Sequence, residues 1–339
     1  MAKKTFNITV IGWGSGTFNV LYGLKAYHTD SEEEHKNLAA IIAMTDSGGT
    51  TGEIRDKYGV LPPGDIRRAV AALARDTGFV RDLFEYKFSG ESGVIGGNKI
   101  GNILLTALGE ITGSFEAGLD AACKMFDVQG KVLPVTLEDV HLGVRMDDGT
   151  EVIGEKFIDV SDKNDCATHN LDQNVKDAFL VGGEGNLNPR AREAILESDV
   201  IVIGPGDFYT SIVPALLSKW IRKAFSETSA KIVYVANIMT KKGETTHYEL
   251  PDFIDNVERY SGNILDYVLV NSWDISQELV EKYKIEEGKK PVKLKPEQNY
   301  ISRRFKIIEE DFVNESDVVR HDPIKLARVL IDICRRENT

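Results

Sequence analysis

Four loops carry the residue types that could hold a phosphorylated ligand. The first is Gly12-Trp13-Gly14-Ser15-Gly16-Thr17. Glycines at 12, 14 and 16 let the backbone turn tightly and bring N–H groups against phosphate oxygens. Ser15 and Thr17 add hydroxyl donors. The spacing is not the strict G-x-G-x-x-G, because Thr17 stands where the third glycine would fall, and the G-K-[ST] of a P-loop is absent. The bland alternative is a tight strand-to-helix turn, and the phosphate reading is preferred to it. The second loop, Asp46-Ser47-Gly48-Gly49-Thr50-Thr51-Gly52, adds an acidic residue suited to Mg²⁺ or to a ribose hydroxyl. As a surface loop of turn-formers it is equally well explained. Arg55 follows it, placed to reach a phosphate or to form a surface ion pair.

The third loop, Leu61-Pro62-Pro63-Gly64-Asp65-Ile66-Arg67-Arg68, presets the start of a helix. Asp65 has two readings, helix N-cap or metal ligand and acid–base group, and composition alone favours the cap. Arg67 and Arg68 oppose the helix dipole, a conflict that suits a waiting anion or, more blandly, solvated arginine. The fourth loop, Gly204-Pro205-Gly206-Asp207-Phe208-Tyr209-Thr210-Ser211, offers N–H groups, two hydroxyls and the Tyr209 ring. That ring either stacks on a base or, slightly favoured, packs in the core. Asn237, Thr240 and Asn271 follow later strands and are weaker candidates for base or sugar contacts. Gly97 to Asn102 precedes a helix, with capping of it the bland reading of Asn102, and His321-Asp322-Pro323 reads as an N-cap with Pro at the first helical position.

The elements that must position these loops alternate strand and helix. Phe6–Ile11, Leu38–Met44, Val200–Ile203, Lys231–Ala236 and Leu265–Val270 read as strands. Val20, Leu21 and Leu24 mark one face of the helix after the first loop. Helices are expected from Asp65 to about Arg75, over about 101–112 and 114–127, from Ala191 to Ser198, and from about Thr210 to Ser226. The segment 30–37 reads as a charged surface loop. Residues 131–160 read as short strands with a hairpin at Asp147-Asp148-Gly149, and 161–190 as a polar, irregular excursion. The fold class is therefore α/β, a Rossmann-like doubly wound and mainly parallel sheet with an inserted smaller α+β part. One domain spans 1–339: an N-terminal phosphate-binding half over 1–130, the insertion over 131–190, and a second α/β half over 191–339. Ligands bind such sheets outside the carboxyl ends of the strands, where all four loops fall.

Composition narrows the function. Of 339 residues, 42% are hydrophobic, enough for a large core, and the formal net charge is −12. An acidic chain argues against nucleic acid and anionic membranes as partners. The cysteines, Cys123, Cys166 and Cys334, are dispersed and odd in number, as in a reducing cytosol. The six histidines show no H-x-x-x-H or H-E-x-x-H spacing, so no zinc site is expected. The N-terminus does not read as a signal peptide and no stretch reads as a membrane span, so the expected location is cytoplasmic. A dehydrogenase is disfavoured and no NAD is expected, for lack of a glycine at 17 and of an acidic end to the second strand beyond Asp46.

Taken together, the motifs resemble the CofD/YvcK superfamily, and more closely its bacterial YvcK branch. The matching runs are Ile11 to Thr17, Thr45 to Gly52, Leu61 to Arg67, Gly101-Asn102, Leu133-Pro134-Val135-Thr136, Ile203 to Ser211, Asn237-Ile238-Met239-Thr240, Gly243-Glu244-Thr245 and His321-Asp322-Pro323. The resemblance covers nearly the whole chain. It implies a Rossmann-like domain, commonly a homodimer. CofD members transfer a phospholactyl group from a guanosine diphosphate-linked donor to the deazaflavin Fo with Mg²⁺. YvcK members bind UDP-sugars and are tied to gluconeogenic growth, cell-wall supply and cell shape. Four residues depart from the family pattern: Trp13 and Ser15 replace a common Gly and Thr, Asn98 a common His, and Asp207 a frequent Ser.

These readings combine into one expectation: a nucleotide-sugar-binding regulator. The alternative is a transferase in which Asp46 or Asp65 serves catalysis and holds Mg²⁺. The transferase would need a flat apolar pocket for its acceptor, sought in the region from about 79 to 112 with Phe79, Phe84 and Phe88, or in the excursion at 161–190. The polarity of the excursion, with His169, Asn170 and Asp172, favours the binder.

Overall fold

The computed structural model describes residues 4–27, 34–58, 60–87, 97–159, 169–295, 304–315 and 319–337. Twelve strands occur among them: β1 (Lys4–Ile11), β2 (Glu34–Ile42), β3 (Lys131–Pro134), β4 (His141–Met146), β5 (Glu151–Ile153), β6 (Val175–Val181), β7 (Val200–Ile203), β8 (Lys231–Val235), β9 (Tyr267–Asn271), β10 (Lys306–Glu310), β11 (Val313–Glu315) and β12 (Val319–His321). Seven form one sheet in the order β10-β9-β8-β7-β1-β2-β3, and every pair in it is parallel. The strands run apolar because both faces are covered. All four residues of β7 are buried, as are Val10 and Ile11 beside them.

The doubly wound α/β class is therefore present. The chain winds from β1 outward through β2 to β3, then returns to β7 and winds the other way to β10. Between β1 and β7 the direction reverses, and ligand crevices open at such points. Three helices matter most for that crevice: α1 (Gly14–Ala26), α2 (Gly49–Tyr58) and α3 (Pro63–Leu73). Each begins at the carboxyl end of the sheet. α1 also packs on the C-terminal helix Pro323–Glu337 so closely that a methyl group at Gly23 would lie 2.0 Å from the Pro323 carbonyl oxygen.

Several boundaries differ from the sequence reading. The charged segment expected as a loop over 30–37 includes the first residues of β2, which pair with β1 from Glu34 onward. Parallel pairing to a long neighbour extends a strand that its own residues would not propagate. β3 was expected inside the insertion but forms the edge of the main sheet. The hairpin at Asp147-Asp148-Gly149 does form, joining β4 and β5. The excursion is not wholly irregular, since β6 pairs antiparallel with β4 in a three-stranded sheet. The helix expected over Thr210–Ser226 is broken. A wide first turn, Phe208–Ile212, leads into Val213–Leu216, and a second helix, Ile221–Glu227, starts after Trp220 in a left-handed conformation. Residues 30–33, Phe88 and 162–166 lie outside the described residues.

Candidate functional site

The first and fourth loops meet at the switch point between β1 and β7. They touch backbone to backbone. A methyl group at Gly16 would sit 2.4 Å from the Pro205 carbonyl oxygen, and one at Gly206 would sit 3.0 Å from that of Trp13. The Trp13 indole N–H donates to the Thr210 carbonyl oxygen, tying the loops across the crevice. Trp13 is 93% buried in the core. It fastens the loop rather than standing in the cleft mouth. Trp13 is also the N-cap of α1 and contributes no side-chain cap, so the first-turn amides at Gly14, Ser15 and Gly16 keep their donors free of any side chain of the cap. That turn opens on a cleft of about 660 Å³.

Most of the sequence-selected residues converge on this cleft. Gly14, Ser15, Gly16, Asp46, Gly48, Gly49, Gly64, Arg67, Gly206, Thr210, Ser211, Asn237 and Thr240 line it. Thr210 Oγ1 is buried there without a hydrogen-bond partner among the described residues. Asn237 and Thr240 are partly committed already. Asn237 donates to the Gly206 carbonyl oxygen at 2.7 Å, and Thr240 Oγ1 accepts from the Lys290 amide at 2.9 Å.

Other candidates are placed behind the cleft or away from it. Gly12, Gly204 and Thr17 form its backing, with the Thr17 hydroxyl 3.2 Å from the Trp13 carbonyl oxygen. Ser47 Oγ accepts from the Lys156 amide at 3.3 Å. Arg55 does not line the cleft. Its guanidinium donates to Asp139 and to the Val140 carbonyl oxygen, joining the second loop to the insertion. Tyr209 does not stack on a base either. It is fully buried, its hydroxyl 2.6 Å from that of Tyr248, in an aromatic cluster with Phe208 and Phe253. Asn271 turns to the Trp273 carbonyl oxygen and the Phe312 amide. Asn102 does not cap its helix, which begins after Lys99, and instead donates to Thr51. Phe79 is exposed and Phe84 packs on Phe126, so neither builds the apolar ring pocket sought there.

Asp65 settles one of the alternatives. The cap residue of α3 is Pro62, without a side-chain cap, and neither oxygen of Asp65 has a hydrogen-bond partner among the described residues. Its nearest cation is Arg68, at 3.6 Å. The capping reading is therefore wrong. Burial, with Asp46 and Glu155 nearby, pushes the Asp65 carboxyl well above the usual carboxylate range. Asp46 is likewise raised, chiefly by burial, against the amide of Gly48 and the arginines. A methyl group at Gly64 would meet Asp46 Oδ2 at 2.3 Å and Thr51 Oγ1 at 2.5 Å, so a larger residue there would displace the Asp46 carboxylate.

Sequence reasoning missed Glu155 and Lys241. Glu155 lines the cleft from the insertion, and burial and then Asp46 push its carboxyl up to about 8. Lys241 lies within 3.0 Å of Asp159, Asp207 and Glu244 and is charged, its carboxylates outweighing its burial. Asp207, a departure from the family pattern, is thus one of its partners. No local motif flags either residue, because only the pairing of distant segments brings them to the cleft. His321 also lines it. Its Nε2–H donates to the Ala236 carbonyl oxygen, and burial pulls its pKa to about 4, so the ring is neutral. Asp322 caps the final helix as read, accepting from the Ile324 and Lys325 amides.

Fold and site together define a doubly wound α/β protein with a polar cleft at its switch point. The chain belongs to the CofD family: the signature described as 2-phospho-L-lactate transferase CofD matches residues 8–313. A relative in Aquifex aeolicus is 36% identical, covering 98% of each chain. The gluconeogenesis factor of Bacillus subtilis is 35% identical over 97% of this chain and 98% of its own. A crystal structure of a Bacillus halodurans protein of the UPF0052 family superposes with a TM-score of 0.86 at 33% identity, covering 97% of this chain and 99% of that one.

Proposed function

We propose that this protein is a YvcK-like factor that binds a nucleotide diphosphate-sugar of the UDP-sugar type, in the cytoplasm, as part of the control of gluconeogenic growth and cell-wall supply. The observation that carries this reading is the pair of glycine loops facing each other at the switch point. There α1 presents amides without a side-chain cap, and Thr210 Oγ1 is a buried orphan. A diphosphate supplies the acceptors that those donors lack. The cleft volume of about 660 Å³ suits a small-molecule ligand.

The second reading, phospholactyl transfer, is favoured by the carboxylates. Among the described residues no three His, Cys, Asp or Glu side chains converge as a ready-made metal cage. Asp46 and Asp65 instead suit Mg²⁺ held by one or two carboxylates together with ligand phosphates. Bound there, the ion would neutralise developing phosphate charge. Neither Phe79 nor Phe84 lines the cleft, which favours binding over transfer.

The test is a thermal-shift screen of UDP-, GDP- and adenine-linked ligands with and without Mg²⁺. A ligand at about 100 times its Kd adds roughly 2.7 kcal/mol of stability. Stabilisation by UDP-sugars, with no deazaflavin adduct formed from the guanosine-linked donor and Fo by mass spectrometry, is the expected result. Multiple turnovers to a phospholactyl product would establish the transferase instead.

A further inference from the structure

The cleft lined by the glycine loops also has a cationic wall of Arg67, Arg68, Lys87 and Lys99. Arg67 stands at its centre, its side chain 3% exposed. One guanidinium nitrogen reaches Glu85 at 2.9 Å, while Nε and the other terminal nitrogen are buried without a partner among the described residues. Buried guanidinium donors left unpaired cost free energy that an anionic oxygen would offset. Lys99 shares the same carboxylate, 2.7 Å from Glu85. Lys87 and Lys99 are joined by an antiparallel bridge, which sets two like charges opposite each other. Arg68 adds a fourth cation to the cleft lining. In a chain of net charge −12, four cations on one cleft, two of them sharing the Glu85 carboxylate, are a local concentration of positive charge.

We propose that Arg67, Arg68, Lys87 and Lys99 form a second anion subsite, distinct from the glycine loops, that takes the phosphate or carboxylate group of a co-ligand bound beside the nucleotide. The inference rests on the nucleotide reading for its biological sense, but not for its test. Arg67 supplies direction, because a guanidinium presents paired N–H donors in a plane that matches a phosphate or carboxylate edge. The lysines supply charge at the mouth.

The experiment measures the thermal shift caused by inorganic phosphate at fixed ionic strength, with chloride as control. The proteins are wild type, Ser15→Glu, Arg67→Gln and Lys99→Gln. Ser15→Glu places a carboxylate on the glycine loops and leaves the cationic wall intact. Phosphate should stabilise Ser15→Glu as well as wild type, the wall remaining available in both. Its apparent affinity should fall about tenfold in Arg67→Gln and Lys99→Gln, as for the loss of one charge-assisted bond. Lys99 is partly exposed, so its variant decides the matter if Arg67→Gln does not fold. In a second arm at saturating UDP, the phosphate shift should persist, and acetate in place of phosphate tells whether a carboxylate suffices. A phosphate shift abolished by Ser15→Glu and untouched by both wall variants would overturn the proposal, as would no shift in wild type. If UDP itself produces no shift, the nucleotide reading fails, while the first arm still decides the subsite.

Discussion

At the scale of the residue, the carboxylates are the informative groups. Asp65 is buried, makes no capping bond and has no hydrogen-bond partner among the described residues. Its replacement by Asn therefore removes a buried carboxyl that accepts no hydrogen bond and forfeits no cap. Asp65→Asn is expected to melt no lower than wild type, while the Mg²⁺-dependent part of ligand binding disappears. A lowered melting temperature with Mg²⁺ dependence intact would contradict a ligand role for Asp65. Glu244 makes a separate prediction. It is fully buried, and burial raises its pKa to about 7, against the opposing pull of Lys241. A carboxyl whose folded pKa exceeds its unfolded value of 4.5 holds a proton that the unfolded chain releases. Its contribution to stability is thus greatest below pH 4.5 and declines as pH rises to about 7. Glu244→Gln leaves Lys241 its pairs with Asp159 and Asp207. The variant should lose that decline and gain on the order of 1–3 kcal/mol at pH 8 relative to pH 4.5. Denaturant melts across that range check it, and a parallel pH profile for the two proteins would rule it out.

At the scale of the element, the two glycine loops act as one unit. Gly16 lies against the Pro205 carbonyl, and a side chain there must push the fourth loop away from α1. Gly16→Ala should cost roughly 1–3 kcal/mol, as overpacking does, and weaken ligand binding beyond that loss. Equal stability and affinity would mean that the loops need not touch. The order of these elements was legible in the sequence because apolar strands enter glycine turns with a fixed rhythm. The four loops were found that way, and most of their residues line one cleft. What stayed hidden depends on contacts between distant segments. Tyr209 sits beside cleft-lining hydroxyls but turns into the core, because the wide first turn at Phe208–Ile212 rotates successive side chains in a way that no periodicity encodes. Arg55 looked like a phosphate ligand until the insertion supplied Asp139. Glu155 and Lys241 carry no local signature, and only the folding of the three-stranded sheet and the loop after β8 against the cleft brings them there.

At the scale of the whole molecule, a net charge of −12 surrounds the cleft for which we propose an anionic ligand. On that proposal, local devices do the holding against the global field: amides at α1, hydroxyls on the fourth loop, and the arginine wall. No helix among the described residues is long and apolar enough to cross a membrane. The CofD-family match extends over residues 8–313, and the departures from the family pattern that bear on the site line the cleft. Here those are Trp13 fastening one loop to the other, Ser15 at the open first turn, and Asp207 paired with Lys241. The central claim is that a nucleotide diphosphate-sugar binds on the open first turn of α1. Gly14 is a poor place to probe it, because its backbone φ of +79° would strain any side chain. Ser15 is exposed in the cleft and takes a substitution without that strain. The most direct measurement is isothermal calorimetry of UDP-glucose and UDP-N-acetylglucosamine against wild type and Ser15→Glu, with melting temperatures recorded for both proteins. The account predicts saturable binding by wild type and none by a Ser15→Glu protein that melts normally. Equal affinity in the two proteins, or no binding of either nucleotide sugar by wild type, would contradict it.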